Sequence, residues 1–496
     1  MNEFELKFEI PPERFKKVEA AMLGPQAVRL HLQARYFDTP EGALAQAGIV
    51  VRLRKEGERW VQTAKGPTAD VLERLEHNAN LPLGRGNKAP MLDLSRHRGT
   101  PIGKLIDKSL GLKSTQGYPS LDLHYCTDVQ RIIRRMMSGN SVVEVTLDQG
   151  RIFYKTQSQA VCEFEVELKE GLPLDALKLA RQWRQAHGLW ISTISKSMKG
   201  QRLCTDVAAD GARLPKLPTS LEFNRHVNCQ DMMKSVVMAC LNQILPNMSE
   251  LAWGSKSPEH IHHLRVGIRR LRTALRDLGD LTDAIDPTWE AELARIFRVL
   301  GTHRDNDQLA RVLQPHWLLA GGPMLEFDSA DPAMAALAST LIAPEMQETM
   351  LGLLAFVHGD GPRAFEKPGV LKKAISSRLS RLHRQVLRDG QKFADLDSAQ
   401  RHRVRKRFKR LRYLMEFTAP LFSSCKARLM IEATRPVQDA LGLYNDEIKA
   451  LQTMNGLATI DPKAWFGLGW LAGRRERNAE RCLRTIKSFA KIKSFW

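Results

Sequence analysis

At 496 residues the chain is too long for a single hydrophobic core, and a 43% hydrophobic content supports globular folding into two or more domains. No run approaches the roughly 18 apolar residues of a membrane span. Seven scattered cysteines without CxxC spacing argue for free thiols in a reducing compartment rather than disulfides or zinc ligands. The net charge of +20 is uneven: residues 1–210 carry 31 Lys/Arg and 25 Asp/Glu, while residues 211–496 carry 44 and 30. A basic C-terminal half implies a polyanionic partner such as nucleic acid, polyphosphate or an acidic membrane surface.

Glu3-Phe4-Glu5-Leu6-Lys7-Phe8-Glu9 alternates strictly between polar and apolar residues, the pattern of a half-buried strand. It begins almost at Met1, with no basic-then-apolar leader before it, so a cytoplasmic protein is expected. Period two puts the charges on one face and Phe4, Leu6 and Phe8 on the other. The same spacing of charges returns at Val51-Arg52-Leu53-Arg54 and at Glu163-Phe164-Glu165-Val166-Glu167. Strands that each point like charges to one side repel on an open surface. They make sense around a common interior that holds metal ions and a polyanion.

A short helix is predicted over 12–23. Strands are predicted over 30–40 (running into a turn), 48–55, 58–65, 71–81, 121–134, 141–147, 151–156 and 160–169, with Asp148-Gln149-Gly150 as a tight turn between two of them. Helices over 174–187 and 195–203 follow. About eight antiparallel strands with inward charges suggest a closed barrel, which removes exposed edges and can enclose a ligand.

This part of the chain resembles the CYTH, or triphosphate tunnel metalloenzyme, family. The resemblance is carried by Glu3-x-Glu5-x-Lys7, Tyr36-Phe37-Asp38-Thr39, Arg52-x-Arg54, Lys65, Asp148-Gln149-Gly150, Glu163-x-Glu165-x-Glu167 and Ser195-Lys196, in order over some 200 residues. It implies a metal-dependent triphosphatase with Glu3, Glu5, Lys7 and Lys65 as the catalytic set. Lys7, Arg52, Arg54, Lys65, Arg131 and Lys196 would bind the triphosphate, since four to five negative charges call for several cations. Arg134 is the alternative to Arg131, and Arg74 and Arg35 are further candidates. Glu3, Glu5, Asp148, Glu163, Glu165 and Glu167 would hold Mg²⁺ or Mn²⁺ through hard oxygen ligands. The family also includes adenylate cyclases and thiamine-triphosphatases, whose organic groups need a pocket that the sequence does not reveal.

Residues 206–219, with Pro215 and Pro218, read as a linker between domains at 1–205 and 220–496. Beyond it nearly everything has helical period, and there is an internal repeat. His262-x₂-Arg265-x₃-Arg269-Arg270-x-Arg272 has the spacing of His402-x₂-Arg405-x₃-Lys409-Arg410-x-Arg412, and each copy is followed by a Leu-Gly expected to turn, at Leu300-Gly301 and Leu441-Gly442. Offsets of 0, 3, 7 and 10 share one helical face, giving two basic stripes flanked by Arg270 and Arg410.

This half resembles the CHAD domain, the conserved histidine α-helical domain. The expected fold is therefore multidomain α+β: an eight-stranded antiparallel β-barrel followed by an all-α domain of two duplicated helical bundles. The resemblance implies inorganic polyphosphate as ligand of the ten stripe residues, with polyphosphate granules as a place of work. Few aromatics interleave with the stripes, which disfavours single-stranded nucleic acid, and a charged histidine near its usual pKa would make binding pH-sensitive. The fusion resembles bacterial inorganic triphosphatases. The other expectation is a catalytically slow adaptor of polyphosphate granules.

Overall fold

The computed structural model describes residues 2–81, 89–113, 117–204, 214–224, 226–308, 313–326, 331–359 and 369–496. The chain divides into two compact units. One comprises Met1–Lys216, Leu241–His260 and Ala338–Gly359; the other comprises Leu217–Cys240, Ile261–Leu337 and Asp360–Trp496.

The first unit is built on eight strands: β1 (Asn2–Glu9), β2 (Val28–Asp38), β3 (Val50–Glu56), β4 (Arg59–Pro67), β5 (Glu73–Leu81), β6 (Asp122–Ser138), β7 (Ser141–Tyr154) and β8 (Gln157–Glu170). They run in the order β5-β4-β3-β2-β6-β7-β8-β1, and β1 pairs back onto β5 with Glu3 opposite Arg74, so the barrel closes. A two-residue β9 (Trp190–Ile191) adds to the end of β1. Around them lie α1 (Phe15–Met22), α2 (Ala43–Gln46), α3 (Pro101–Ser109), α4 (Pro173–His187) and α5 (Lys196–Cys204).

Period two turns this barrel inside out. Glu3, Glu5 and Lys7 face the lumen, whereas Leu6 and Phe8 are fully buried on the outer side. Phe8 meets Phe164 at 6.4 Å, and Phe164 meets Trp183 of α4 at 4.6 Å. Helices must therefore cover the outside, and part of the cover comes from late in the chain. Two such segments are the end of α6 (Cys229–Ala252) and α11 (Pro344–His358). Asn242 accepts from the Val71 amide (2.9 Å) and donates to the Ala69 carbonyl (2.6 Å), Gln347 accepts from the Ile191 amide (2.7 Å), and the ring of His358 stands edge-on to Phe4.

Asp148-Gln149-Gly150 is not a turn. It lies inside β7, paired with Arg131, Gln130 and Val129 of β6. The glycine is needed for close approach: a Cβ at Gly150 would stand 2.1 Å from the Asp128 carbonyl oxygen.

The remaining helices are α7 (Pro258–Leu278), α8 (Pro287–Gln308), α9 (Gln314–Leu319), α10 (Asp331–Ile342), α12 (Val370–Gly390), α13 (Ser398–Thr418), α14 (Ser424–Leu457) and α15 (Ala464–Ala490). In the second unit α12, α13, α14 and α15 pack as a bundle around buried Phe408, Ile486 and Phe489. The two Leu-Gly turns expected from sequence are absent, because Gly301 lies within α8 and Gly442 within α14. Gly301 makes room for Arg265, whose Nη1 would stand 3.1 Å from a Cβ there. The predicted linker lies in part outside the described residues. Among the described residues no helix is long and apolar enough to cross a membrane.

A buried polar cluster joins β4 and β5 to the segment before α3. The Gln62 amide donates to the Asp93 carbonyl (2.8 Å) and to His97 Nε2 (2.9 Å), which fixes His97 as an acceptor there. Its Nδ1 then carries the proton and donates to His77 Nδ1 at 2.9 Å. Burial, with the His77 ring beside it, lowers the His97 pKa from 6.5 to about 4. The unfolded chain thus takes up a proton that the native state refuses. Stability is full above pH 6.5 and falls as pH drops toward 4, by up to about 2–3 kcal/mol. His97→Gln keeps a donor and an acceptor and should flatten that part of a melting-temperature-against-pH curve; an unchanged curve would refute the assignment.

Candidate active site in the barrel lumen

The lumen is a cavity of about 730 Å³ lined by inward-facing residues of all eight strands and by the start of α5. Its formal charges balance: Lys7, Arg52, Arg54, Lys65, Arg74, Arg131, Lys169 and Lys196 face Glu3, Glu5, Glu56, Glu76, Glu144, Asp148, Glu165 and Glu167. Eleven of the twelve site residues named from sequence for this half line it, and Glu163 does not. Those eleven are Glu3, Glu5, Lys7, Arg52, Arg54, Lys65, Arg131, Asp148, Glu165, Lys196 and Glu167, with Glu167 joined to Lys169 (2.6 Å) and Arg54 to Glu56 (2.6 Å).

Four cations, each shared between carboxylates, hold the lining. Lys196 Nζ lies 2.7 Å from Asp148, 2.6 Å from Glu163 and 2.8 Å from Glu165. Arg131 grips Asp148 with two bonds of 2.6 Å and reaches Glu165 at 3.0 Å. Lys65 bridges Glu3 (2.6 Å) and Glu76 (2.8 Å). Lys7 approaches Glu165 at 3.0 Å and Glu5 at 3.6 Å.

Glu163 sits behind the cavity wall, wholly buried, where it meets Lys196 and, at 2.8 Å, Lys199. Burial raises its pKa, but Lys196, Lys199 and Lys7 outweigh burial and hold it at about 2. Arg134 leaves the lumen to donate to the Ala21 carbonyl, and Arg35 is exposed, so Arg131 and Arg74 are the luminal arginines of the four candidates. Reading the sequence missed Glu76, Glu144, Lys169 and Lys199. Arg74-x-Glu76 repeats the alternation of the first strand, and Lys199 lies one helical turn beyond Lys196, so both carried a signal.

Among the described residues no three His, Cys, Asp or Glu side chains converge on a metal-sized point, since lysines and arginines hold the carboxylates apart. The donor chemistry nevertheless fits a hard divalent cation. Burial, with Glu76 and Glu5 alongside, raises the Glu3 pKa from 4.5 to about 9 despite Lys65, so this corner holds more acid than its lysine neutralises. Leu30 and Leu32 of β2 and Val129 and Ile133 of β6 add an apolar patch to the lining, beside Arg131.

In the second unit many stripe residues are engaged with protein. Arg270 of α7 pairs with Glu416 of α13 and, reciprocally, Arg410 of α13 pairs with Asp277 of α7. Arg272 holds Glu290 at 2.9 Å and Arg412 holds Glu416 at 2.7 Å. Arg265, Arg269 and Arg272 lay their guanidinium groups against the Phe297 ring at 4.5, 5.1 and 5.5 Å. His262 meets His263 edge to face; Lys409 and Arg405 lie half-buried on α13. His402 Nδ1 is 3.1 Å from Asn445 Oδ1, and burial lowers its pKa below the usual 6.5. A basic groove that sequence reading missed lies on α15, where Arg474, Arg477, Arg481 and Arg484 repeat the 0, 3, 7, 10 spacing beside a cavity of about 390 Å³.

A closed barrel with an ionic lumen, followed by an all-α region, defines the class of protein. The family assignment agrees: residues 1–200 match the CYTH domain and residues 235–454 the CHAD domain, so the chain carries one of each. An inorganic triphosphatase of Haemophilus influenzae is 26% identical over 208 residues, 41% of this chain and 55% of that protein, so the match spans about half of the relative's length. The crystal structure of the CHAD domain from the plant Ricinus communis is 23% identical with a TM-score of 0.47, covering 56% of this chain and 97% of that one. A candidate adenylyl cyclase from Hippeastrum with a dominant triphosphatase activity is 16% identical with a TM-score of 0.29, covering 41% and 97%.

Removing one partner of a buried ion pair leaves an uncompensated charge and typically costs about 3–5 kcal/mol. Glu163→Gln strands Lys199, which is 1% exposed, against Glu9 alone. The first thermal transition of the full chain should fall accordingly, and a melting curve identical to the parent's would show that Glu163 is not the anchor of this wall.

Proposed function

We propose that the protein is a divalent-metal-dependent triphosphatase that hydrolyses inorganic triphosphate to diphosphate and phosphate, and that its helical half binds inorganic polyphosphate. The charge balance of the lumen carries the first part. Eight cations facing eight acids leave no formal surplus for an anion of four or five charges. Such a substrate fits when it displaces carboxylates from the lysines and arginines and the freed carboxylates take up Mg²⁺ or Mn²⁺. The relative named as an inorganic triphosphatase agrees with this reading.

Arg52, Arg54 and Arg131 present planar forks for neighbouring phosphate oxygens, and Lys7, Lys65 and Lys196 add point charges. Glu3, Glu5, Asp148, Glu165 and Glu167 line the space where a cation would be held, with Glu163 steadying Lys196 from behind. A bound divalent ion would neutralise charge developing on the phosphate oxygens. Hydrolysis of a phosphoanhydride depends on positioning and neutralisation more than on a covalent nucleophile. Glu5, whose nearest cation is Lys7 at 3.6 Å, is the least engaged luminal acid on β1 and the best placed to orient the attacking water.

A second reading, cleavage or cyclisation of an organic triphosphate such as thiamine triphosphate or ATP, is favoured by the apolar patch of Leu30, Leu32, Val129 and Ile133. For polyphosphate, Arg269 of α7 and the α15 groove are the surfaces we assign, because Arg270 and Arg410 already serve the contact between α7 and α13.

Phosphate release by the full chain should be fastest from inorganic triphosphate, require Mg²⁺ or Mn²⁺ and stop with chelator. Glu5→Gln should lower turnover by about 10²-fold or more, in the range of lost transition-state contacts, while polyphosphate binding persists. Faster release from ATP or thiamine triphosphate would select the organic reading, and loss of both properties would break the two-site scheme. Conversely, Arg269→Glu should weaken polyphosphate binding about tenfold, the effect of one lost charge-assisted contact, with phosphate release within about twofold. A large fall in release would count against separate sites.

A further inference from the structure

Helix α5 contributes Lys196 and Ser197 to the lumen lining and is held from two sides. On the inner side Lys196 reaches Asp148, Glu163 and Glu165, and Lys199 reaches Glu163 and Glu9, each at 2.8 Å. The Tyr125 hydroxyl donates to the Ser197 carbonyl (3.1 Å), and a Cβ at Gly200 would lie 2.3 Å from the Tyr125 ring, so the helix rests directly on that ring.

On the outer side stands the end of α6, from beyond the stretch that matches the CYTH domain. Ser249 Oγ accepts from the Thr193 amide at 3.0 Å, steadying the entry to α5. Glu250, 4% exposed, pairs with Arg202. The Trp253 ring lies 4.8 Å from the Arg202 guanidinium and 5.4 Å from the Lys199 ammonium. None of Ser249, Glu250 and Trp253 lines the lumen.

We propose that Glu250 and Trp253 are positioning residues for the luminal anion site: through Arg202 and Lys199 they set α5, and α5 sets Lys196 against the lumen. Two contacts of different kind meet on one short helix. The indole face attracts a cation whose other partners are carboxylates, so Lys199 is fixed on both sides. The carboxylate of Glu250 fixes Arg202 one turn further along. Lys199 shares Glu163 with Lys196, so a shift of α5 moves both ammonium groups at once. The anion site is thus completed by chain outside the barrel sequence. The consequence for turnover rests on the triphosphatase reading; the consequence for α5 does not.

The test uses full-length Trp253→Ala, Trp253→Phe and Glu250→Gln, with Mg²⁺ and inorganic triphosphate, alongside hydrogen exchange of the α5 amides. Because misplacing a binding group by about 1 Å can cost about 10²-fold, Trp253→Ala should raise KM about tenfold with kcat within about twofold. Exchange over residues 196–204 should quicken about tenfold while β1 stays protected, and Trp253→Phe, which keeps a ring, should return both readouts most of the way. Unchanged KM with unchanged exchange overturns the proposal, as does a fall in kcat at constant KM. Should Trp253→Ala fail to fold, Glu250→Gln carries the same expectations. A parent protein that releases no phosphate would sink the triphosphatase reading alone, and α5 exchange would still decide this one.

Discussion

Compensation of buried charge is the constraint on which the first unit depends. A barrel that turns its charges inward must pair them, because an unpaired ammonium or carboxylate in that lumen would carry a desolvation cost of several kcal/mol. The pairing also specifies the strands. A slip of one residue in β1 would send Glu3, Glu5 and Lys7 against the helices and bring Phe4, Leu6 and Phe8 into the lumen. The ion pairs thus fix register as hydrophobic faces do in ordinary sheets. They contribute specificity more securely than net stability.

Inverting the barrel creates the demand for helices outside it. Phe8 and Phe164 need α4; Phe4 needs α11. The compact unit accordingly draws Leu241–His260 and Ala338–Gly359 from the C-terminal half. Cutting the chain after the last barrel residue would expose apolar surface that these segments now cover.

Local pattern announced most of the lumen and little of what surrounds it. The alternation in β1, β3 and β8 was legible because period two is a property of neighbouring residues. Glu76 obeys the same rule but sits in Glu73-Arg74-Leu75-Glu76-His77-Asn78, where polar residues on both faces blur it. Asp148-Gln149-Gly150 misled because aspartate and glycine favour turns, whereas this glycine serves a close strand crossing. Gly301 misled likewise: the space it leaves is filled by Arg265. Glu250 and Trp253 gave no signal, since their partners are some 50 residues away in sequence and only tertiary packing joins them. On the helices, equal spacing marked two basic stripes but not which arginines are engaged: Arg412–Glu416 follows the i,i+4 spacing, whereas Arg270–Glu416, Arg272–Glu290 and Arg410–Asp277 join different helices, which no periodicity shows.

The same compensation constrains how any multiply charged anion can enter. Each luminal lysine or arginine that turns to a phosphate leaves a carboxylate it had neutralised: Lys65 leaves Glu3 and Glu76, and Lys196 leaves Asp148 and Glu165. Those acids lie in a confined space, so their repulsion opposes the anion unless protons or cations replace the lost partners. Protons are available to Glu3, whose pKa is about 9, but not to Glu163, held near 2. The freed carboxylates would suit a divalent cation, whose charge would offset both their repulsion and that of the incoming anion. In the proposed reaction, anion and metal therefore favour each other's binding, and the ion pairs of the free lumen are what couples them.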